Sequence, residues 1–267
     1  MPIVTLEQFD SHDSVLPLFR SKGNRSVPVQ FASAVLIQRH DAFYLLTAAH
    51  VIDEWRTDTE VLIPVSDGTL VPLDGYYRYI DIPPEQPRSE DALDVAYVRL
   101  APHLVAPVVG AFTPVPPNAT ELLTEEYWRN DQIFFCSATG YPASKARRDG
   151  DAHKIDAWSF GGSLITDSTT YERLGYSTKV NILLGYDRSQ TINLGSEERN
   201  VASAPHLKGV SGGGIFIWPE TESDFPPICG RKLIGIVHTY LERESMIVGT
   251  NLIPAFTMMA VGMMKDR

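Results

Sequence analysis

The stretch Gly209-Val210-Ser211-Gly212-Gly213-Gly214-Ile215-Phe216-Ile217-Trp218 decides how this chain is read. A serine set among glycines sits on a tight turn, open to close approach by another molecule's carbonyl. The backbone N–H groups of such a turn, here those of Gly209 and Ser211, are placed to converge on one spot. The apolar, β-branched and aromatic run after the glycines reads as a strand, not a helix. A Gly-rich surface turn with an idle serine has the same local sequence, so the rest of the chain has to supply the meaning.

Two upstream segments do so. Phe43-Tyr44-Leu45-Leu46-Thr47-Ala48-Ala49 is an apolar strand that ends in small residues and leads into His50. Asp94 opens Val95-Ala96-Tyr97-Val98-Arg99-Leu100, a strand read as buried. A carboxylate at the mouth of a buried strand needs a partner, because burying an unpaired charge is costly, and His50 is the natural one. Asp91, in the acidic loop 89–94, is its rival. A serine hydroxyl is a weak nucleophile at neutral pH. It needs a base to take its proton and a third group to orient that base. Ser211, His50 and Asp94 supply one residue of each kind. Each alone has a purely structural reading: an idle serine, a satisfied histidine, a turn-forming aspartate.

Strand signals dominate elsewhere. One group lies at 31–38, 43–49, 60–65 and 95–101, and a second at 132–141, 155–160, 179–186, 214–218 and 232–240. Short strands separated by turn residues predict an all-β fold, a sandwich or a pair of barrels. The expected organisation is a loose N-terminal arm over 1–24, a first barrel over 25–110 with His50 and Asp94, and a Pro-rich connection over 111–131. A second barrel over 132–250 with Ser211 and a C-terminal helix over 251–267 complete it. The loop 143–154, charged with both signs, reads as solvated and exposed.

The chain has 267 residues and a formal net charge of −10, which disfavours nucleic acid as a partner. The longest apolar stretch, 252–264, contains Pro254 and falls short of the ~20 residues that span a bilayer. The N-terminus lacks a basic start followed by an apolar run, so no secretory signal is expected and a cytoplasmic location is. Cys136 and Cys229 are then expected as free thiols. The histidines show no metal-ligand spacing, and no metal or other cofactor is expected.

With these residues in place, the chain resembles the chymotrypsin/trypsin-like serine peptidases. The matching segments are Thr47-Ala48-Ala49-His50, Asp94-Val95-Ala96 and Gly209-Val210-Ser211-Gly212-Gly213, in that order. Gly140-Tyr141-Pro142 resembles a turn of the bacterial, glutamyl-endopeptidase-like members. Leu233-Ile234-Gly235-Ile236-Val237 resembles the strand that pairs with substrate backbone. The resemblance covers roughly 25–262. It implies two antiparallel six-stranded β-barrels with the site between them. It also implies a serine endopeptidase with His50, Asp94 and Ser211 as the triad, and Gly209 and Ser211 as the oxyanion hole.

The departures bear on activation and specificity. Val210 stands where secreted zymogens carry an Asp, and Val51 where they carry a Cys. Activation by N-terminal trimming is therefore not expected, and control by an activating protein partner or by loop ordering is. The long interval from Asp94 to Ser211 predicts extra loops within 143–205. The resemblance puts Pro205 at the floor of the primary pocket, so a preference for Arg or Lys lacks its charge partner. His206, Val237, His238, Thr239 and Tyr240 complete the expected substrate-binding set. Val237, not His238, holds the position of the glutamate-selecting histidine, and a one-residue shift reverses the facing in a strand.

Two other classes compete. A peptidase fold kept as a binding module would grip a peptide by strand addition. An α/β-hydrolase esterase also uses a Gly-x-Ser-x-Gly turn, but it needs a helix after the serine and alternating strands and helices.

Overall fold

The apolar runs become strands, and two sheets of them make most of the molecule. The computed structural model describes residues 10–21, 27–55, 60–80, 82–83, 85–123, 128, 134–149, 152–154, 156–188, 204–218 and 230–265. In the first half these are β1 (Val15–Ser21), β2 (Val29–Arg39), β3 (Ala42–Thr47), β4 (Glu60–Pro64), β5 (Leu70–Pro72), β6 (Gly75–Tyr79) and β7 (Ala96–Leu100). They form an antiparallel seven-stranded sheet in the order β5-β4-β1-β2-β3-β7-β6. It curls around Leu16, Leu36, Leu45, Ile52, Ile63 and Val98. The expected six strands become seven because short β5 adds to β4 across a turn. There Asp67 accepts the Thr69 N–H at 2.9 Å, and Gly68 takes a φ of 79°.

The second half opens with β8 (Phe135–Gly140) and a two-stranded ribbon, β9 (Arg147–Asp149) with β10 (Ala152–Lys154). Then come β11 (Trp158–Leu164), β12 (Asn181–Gly185), β13 (Gly214–Ile217), β14 (Lys232–Leu241) and β15 (Met246–Asn251). β8 and β11 to β15 close into a six-stranded barrel, in the order β11-β12-β15-β14-β13-β8. Four helices are described: α1 (Ala49–Trp55), α2 (Pro102–Val109), α3 (Ser168–Leu174) and α4 (Leu252–Lys265). The fold is the chymotrypsin-like double barrel with a C-terminal helix. A strand, not a helix, follows Ser211, and this removes the α/β-hydrolase reading.

The N-terminal segment is not loose where it is described. Val15–Ser21 is an interior strand, paired with β2 on one side and β4 on the other. Its sequence, Val-Leu-Pro-Leu-Phe-Arg-Ser, shows no alternation because nearly every residue is buried, whichever face it takes. Pro17 is accommodated because it pairs with β2 alone; β4 joins only from Phe19. The charged loop 143–154 is the β9–β10 ribbon over part of its length.

Between the halves lies a further apolar cluster. Val15, Val35, Leu46 and Tyr97 of the first sheet meet Phe216, Leu233 and Ile236 of the barrel, with Leu252, Ala255 and Met259 of α4 over them. Burying a side chain of this size stabilises by about 1.5–3 kcal/mol, so the seam holds the halves in one register. The connection 111–123 is stitched to both, through bridges from Val115 to Ile37 and from Thr120 to Leu233.

Candidate active site

β3 and β7 pair from Tyr44–Arg99 to Thr47–Ala96, so the residues just beyond them lie at the same end of the sheet. His50 is in the first turn of α1, after the fully buried Ala48 and Ala49. Asp94 lies two residues before β7 and is 4% exposed. The two meet there. His50 Nδ1 lies 2.6 Å from Asp94 Oδ2, and the His50 backbone N–H donates to Asp94 Oδ1 at 2.9 Å.

The electrostatics of this pair are reciprocal. Burial favours the neutral Asp94 carboxyl, but the hydrogen bond and charge of His50 outweigh it and hold Asp94 below its usual range. Burial likewise lowers His50, and the bond and charge of Asp94, aided by Glu54 and Asp53, carry it above its ordinary value. An ionised Asp94 only accepts, so Nδ1 carries the hydrogen and the neutral ring keeps its lone pair on Nε2. The His50 side chain is 36% exposed. Asp91 faces elsewhere: it accepts from Arg88 at 2.8 Å and from the Leu93 N–H at 2.9 Å.

Ser211 comes from the other half, on the turn before β13. Val210 N–H donates to Leu207 C=O at 3.0 Å and Gly213 N–H to Val210 C=O at 2.8 Å, which tightens the turn on both sides of the serine. The glycines are structural necessities. A Cβ on Gly212, at φ 85°, would lie 2.0 Å from the Ser33 carbonyl oxygen and 2.2 Å from Thr47 Oγ1. Gly209 has φ 93°, and its Cβ would meet Ala143 N at 2.8 Å.

The N–H groups of the turn are oriented by the carbonyls they share peptides with. The Lys208 carbonyl accepts from the Ala143 N–H at 2.8 Å, and in a trans peptide this turns the Gly209 N–H the opposite way. The Val210 carbonyl, held by Gly213, orients the Ser211 N–H in the same manner. Neither N–H donates to a partner among the described residues.

The Ser211 hydroxyl donates to the His238 carbonyl at 3.3 Å. No Ser211–His50 hydrogen bond is present among the described residues. Ser211 and His50 nonetheless flank one seam, since Gly212 packs on Thr47, at the end of the strand that leads into His50.

The expected substrate-binding residues divide. His206 is exposed and its Nδ1 accepts the Lys208 N–H at 3.2 Å, while Pro205 is buried. Val237 has no free backbone, because its N–H donates to Gly213 and its carbonyl accepts from Gly212. The His238 ring is not in the cleft. It is 5% exposed, its Nδ1 lies 3.0 Å from Thr239 Oγ1, and its buried Nε2 has no partner among the described residues. Burial pushes it down to about 4, although Asp94 pulls the other way. Thr239 and Tyr240 are half-buried, and β13 pairs with β14 only as far as Ile236. From His238 onward that side of β14 has no strand partner among the described residues.

Several supporting residues escaped the sequence reading. Ser33 donates its N–H to the Ser211 carbonyl at 2.8 Å and its hydroxyl to the Gly209 carbonyl at 2.8 Å, and it accepts the Tyr141 N–H at 2.9 Å. Gln30 Nε2 donates to the carbonyls of Tyr141 at 2.8 Å and Gly209 at 3.2 Å. The available signal was a serine and a glutamine inside Val-Gln-Phe-Ala-Ser-Ala-Val-Leu-Ile, polar groups in a strand whose interior is apolar. Cys136 is a buried free thiol whose titration burial pushes up. Cys229 lies outside the described residues. Among the described residues no group of His, Cys, Asp and Glu is placed to hold a metal, and no helix is long and apolar enough to cross a membrane.

No protein-family model matches the chain, and no curated protein is similar to it. Among solved structures it is similar to the Vibrio cholerae VesB protease, with a TM-score of 0.53 and 16% sequence identity. The match covers 92% of this chain but 63% of that one, so this chain spans less than two thirds of the VesB structure's length. At that identity the likeness carries the fold alone, and that fold, reached independently from the strand order, is the one a protease uses.

Proposed function

We propose that the chain is a serine endopeptidase acting through Ser211, His50 and Asp94. The observation that carries this is the 2.6 Å His50–Asp94 pair, set across one seam from a serine whose turn presents two unbonded N–H groups. In the reaction, Ser211 Oγ attacks the scissile carbonyl as its proton passes to His50 Nε2. Asp94 stabilises the imidazolium, and the Gly209 and Ser211 N–H groups hold the tetrahedral oxyanion. Collapse expels the amine, which takes the proton from His50. Water, activated by the same base, then hydrolyses the acyl-enzyme. The mechanism asks for no metal or organic cofactor.

The substrate is a protein or peptide that adds to the free side of β14 from His238 onward. Nothing acidic lies at Pro205 to select a basic side chain. The test is incubation with a diverse peptide mixture, reading new termini by mass spectrometry. Cleavage lost in Ser211→Ala supports the assignment, and cleavage retained in that variant overturns it.

A second reading, a protease latent until a partner binds or a loop orders, is favoured by the Ser211–His238 carbonyl bond. In that bond the hydroxyl is not engaged with His50, and a partner or substrate that favours the engaged arrangement would shift the balance toward it.

A further inference from the structure

His50 and Asp94 belong to different elements, a helix and a loop, and their contact depends on what ties those elements together. The seven-residue α1 is seated in the core through Val51 and Ile52, and the His50 N–H reaches Asp94 Oδ1 directly. A further tie between α1 and the loop is Arg88. Its Nε donates to Asp53 Oδ2 at 2.8 Å, and Asp53 lies one turn beyond His50 on α1. One terminal nitrogen of the same guanidinium donates to Asp91 Oδ2 at 2.8 Å and to the Ile80 carbonyl at 3.1 Å. Asp91 in turn caps Leu93, the residue before Asp94. The guanidinium rests over the Tyr79 ring, and the side chain is only 16% exposed, which favours a fixed geometry. On the far side of the loop, Asn181 of the barrel donates to the Ala92 carbonyl at 2.6 Å.

The same residue balances charge. His50 is faced by Asp94, by Asp53 and Glu54 on its own helix, and by the neutral His238 ring on β14. Asp53 is paired with Arg88, and Glu54 with Arg20. Removing Arg88 would leave the Asp53 carboxylate uncompensated one turn from the base.

We propose that Arg88 is a positioning residue for the reaction: it clamps α1 to the Asp94 loop, holding His50 on Asp94, and offsets the acid beside His50. The proposal rests on the peptidase reading for its consequence in rate, but its structural core is testable without any turnover. The experiment is an NMR titration of the His50 imidazole in the full chain, for wild type, Arg88→Gln, Arg88→Lys and Asp53→Asn. Each is paired with the rate of labelling by a fluorophosphonate. In Arg88→Gln the His50 midpoint should rise by about half a pH unit, the size expected for one uncompensated nearby charge. Labelling should slow at least ~10-fold through misplacement of the base. Arg88→Lys should restore the midpoint, since the charge returns, but not the full rate, since the forked geometry does not. Asp53→Asn should move the midpoint down. An unchanged His50 midpoint and labelling rate in a folded Arg88→Gln overturn the proposal. If wild type never labels yet the midpoint moves as described, the clamp stands and the reading as a peptidase active by itself falls. Should Arg88→Gln not fold, the opposite shift in Asp53→Asn decides, and no shift there overturns the proposal.

Discussion

The backbone N–H of Ser33, on a strand of the first sheet, donates to the carbonyl of Ser211, on a turn of the second barrel, at 2.8 Å. Its hydroxyl bonds the Gly209 carbonyl as well. One residue of one half therefore fixes both ends of the Ser211 turn in the other. The site exists only when the two halves are docked, and the apolar seam of Val35, Leu46, Phe216 and Ile236 supplies the docking energy.

Ser33→Ala should keep the backbone bond to Ser211 and lose both hydroxyl bonds. The Tyr141 N–H is left buried without its partner, which costs about 1–3 kcal/mol, read as a fall in denaturant midpoint at constant slope. The Gly209 carbonyl keeps only Gln30, so labelling of Ser211 by a fluorophosphonate should slow. An unchanged rate would separate the turn's geometry from Ser33.

Gly212→Ala should be far more damaging than a surface change. The new Cβ meets backbone oxygen on one side and Thr47 on the other, at a φ that L residues avoid. Loss of cooperative thermal unfolding, or a Tm drop well beyond that of Ser33→Ala, is the expected result.

Asp94→Asn should lower the turnover rate by on the order of 10³–10⁴, because the amide no longer enforces the reactive tautomer. The proposed mechanism uses neutral His50 as the base, and its ionisation lies above the ordinary 6.5. The rate should therefore rise with pH through a midpoint above that value. In Asp94→Asn the midpoint should move down, since the attraction that held the proton is gone.

His238 should make the fold acid-sensitive. Its folded value, about 4, lies below the unfolded 6.5, so between these the unfolded chain binds more protons. Stability therefore falls as pH drops from about 6.5 to about 4, by up to about 3 kcal/mol. His50 acts in the opposite window: its raised value gives stability that is full below 6.5 and lost as pH rises through the folded value. Tm measured against pH should show the acid-side loss in wild type and a smaller one in His238→Gln. Equal slopes in the two would refute the assignment.

The fold was legible because its central strands are long apolar runs with glycine, proline or acid between them. β1 was not, since burial on both faces erases alternation. The three-residue β5 was missed for lack of length, and the partly exposed tyrosines of β6 blur its facing. At the candidate site, flanking small residues and glycines singled out His50, Asp94 and Ser211, and the structure pairs the first two. Their supports carry no such mark. Ser33, Gln30, Arg88 and Asn181 act through contacts between elements distant in sequence, and no local pattern encodes such pairings. The one-residue offset of His238 from the pocket position was legible, and its ring is buried; that its carbonyl would meet the Ser211 hydroxyl was not.

The most direct test of the central claim is the intact mass of the full chain after reaction with a fluorophosphonate, beside Ser211→Ala and His50→Ala. The account predicts one adduct per wild-type chain, located on Ser211, and none in either variant. A folded wild-type chain that takes no adduct, or one that takes it equally in Ser211→Ala, would contradict it.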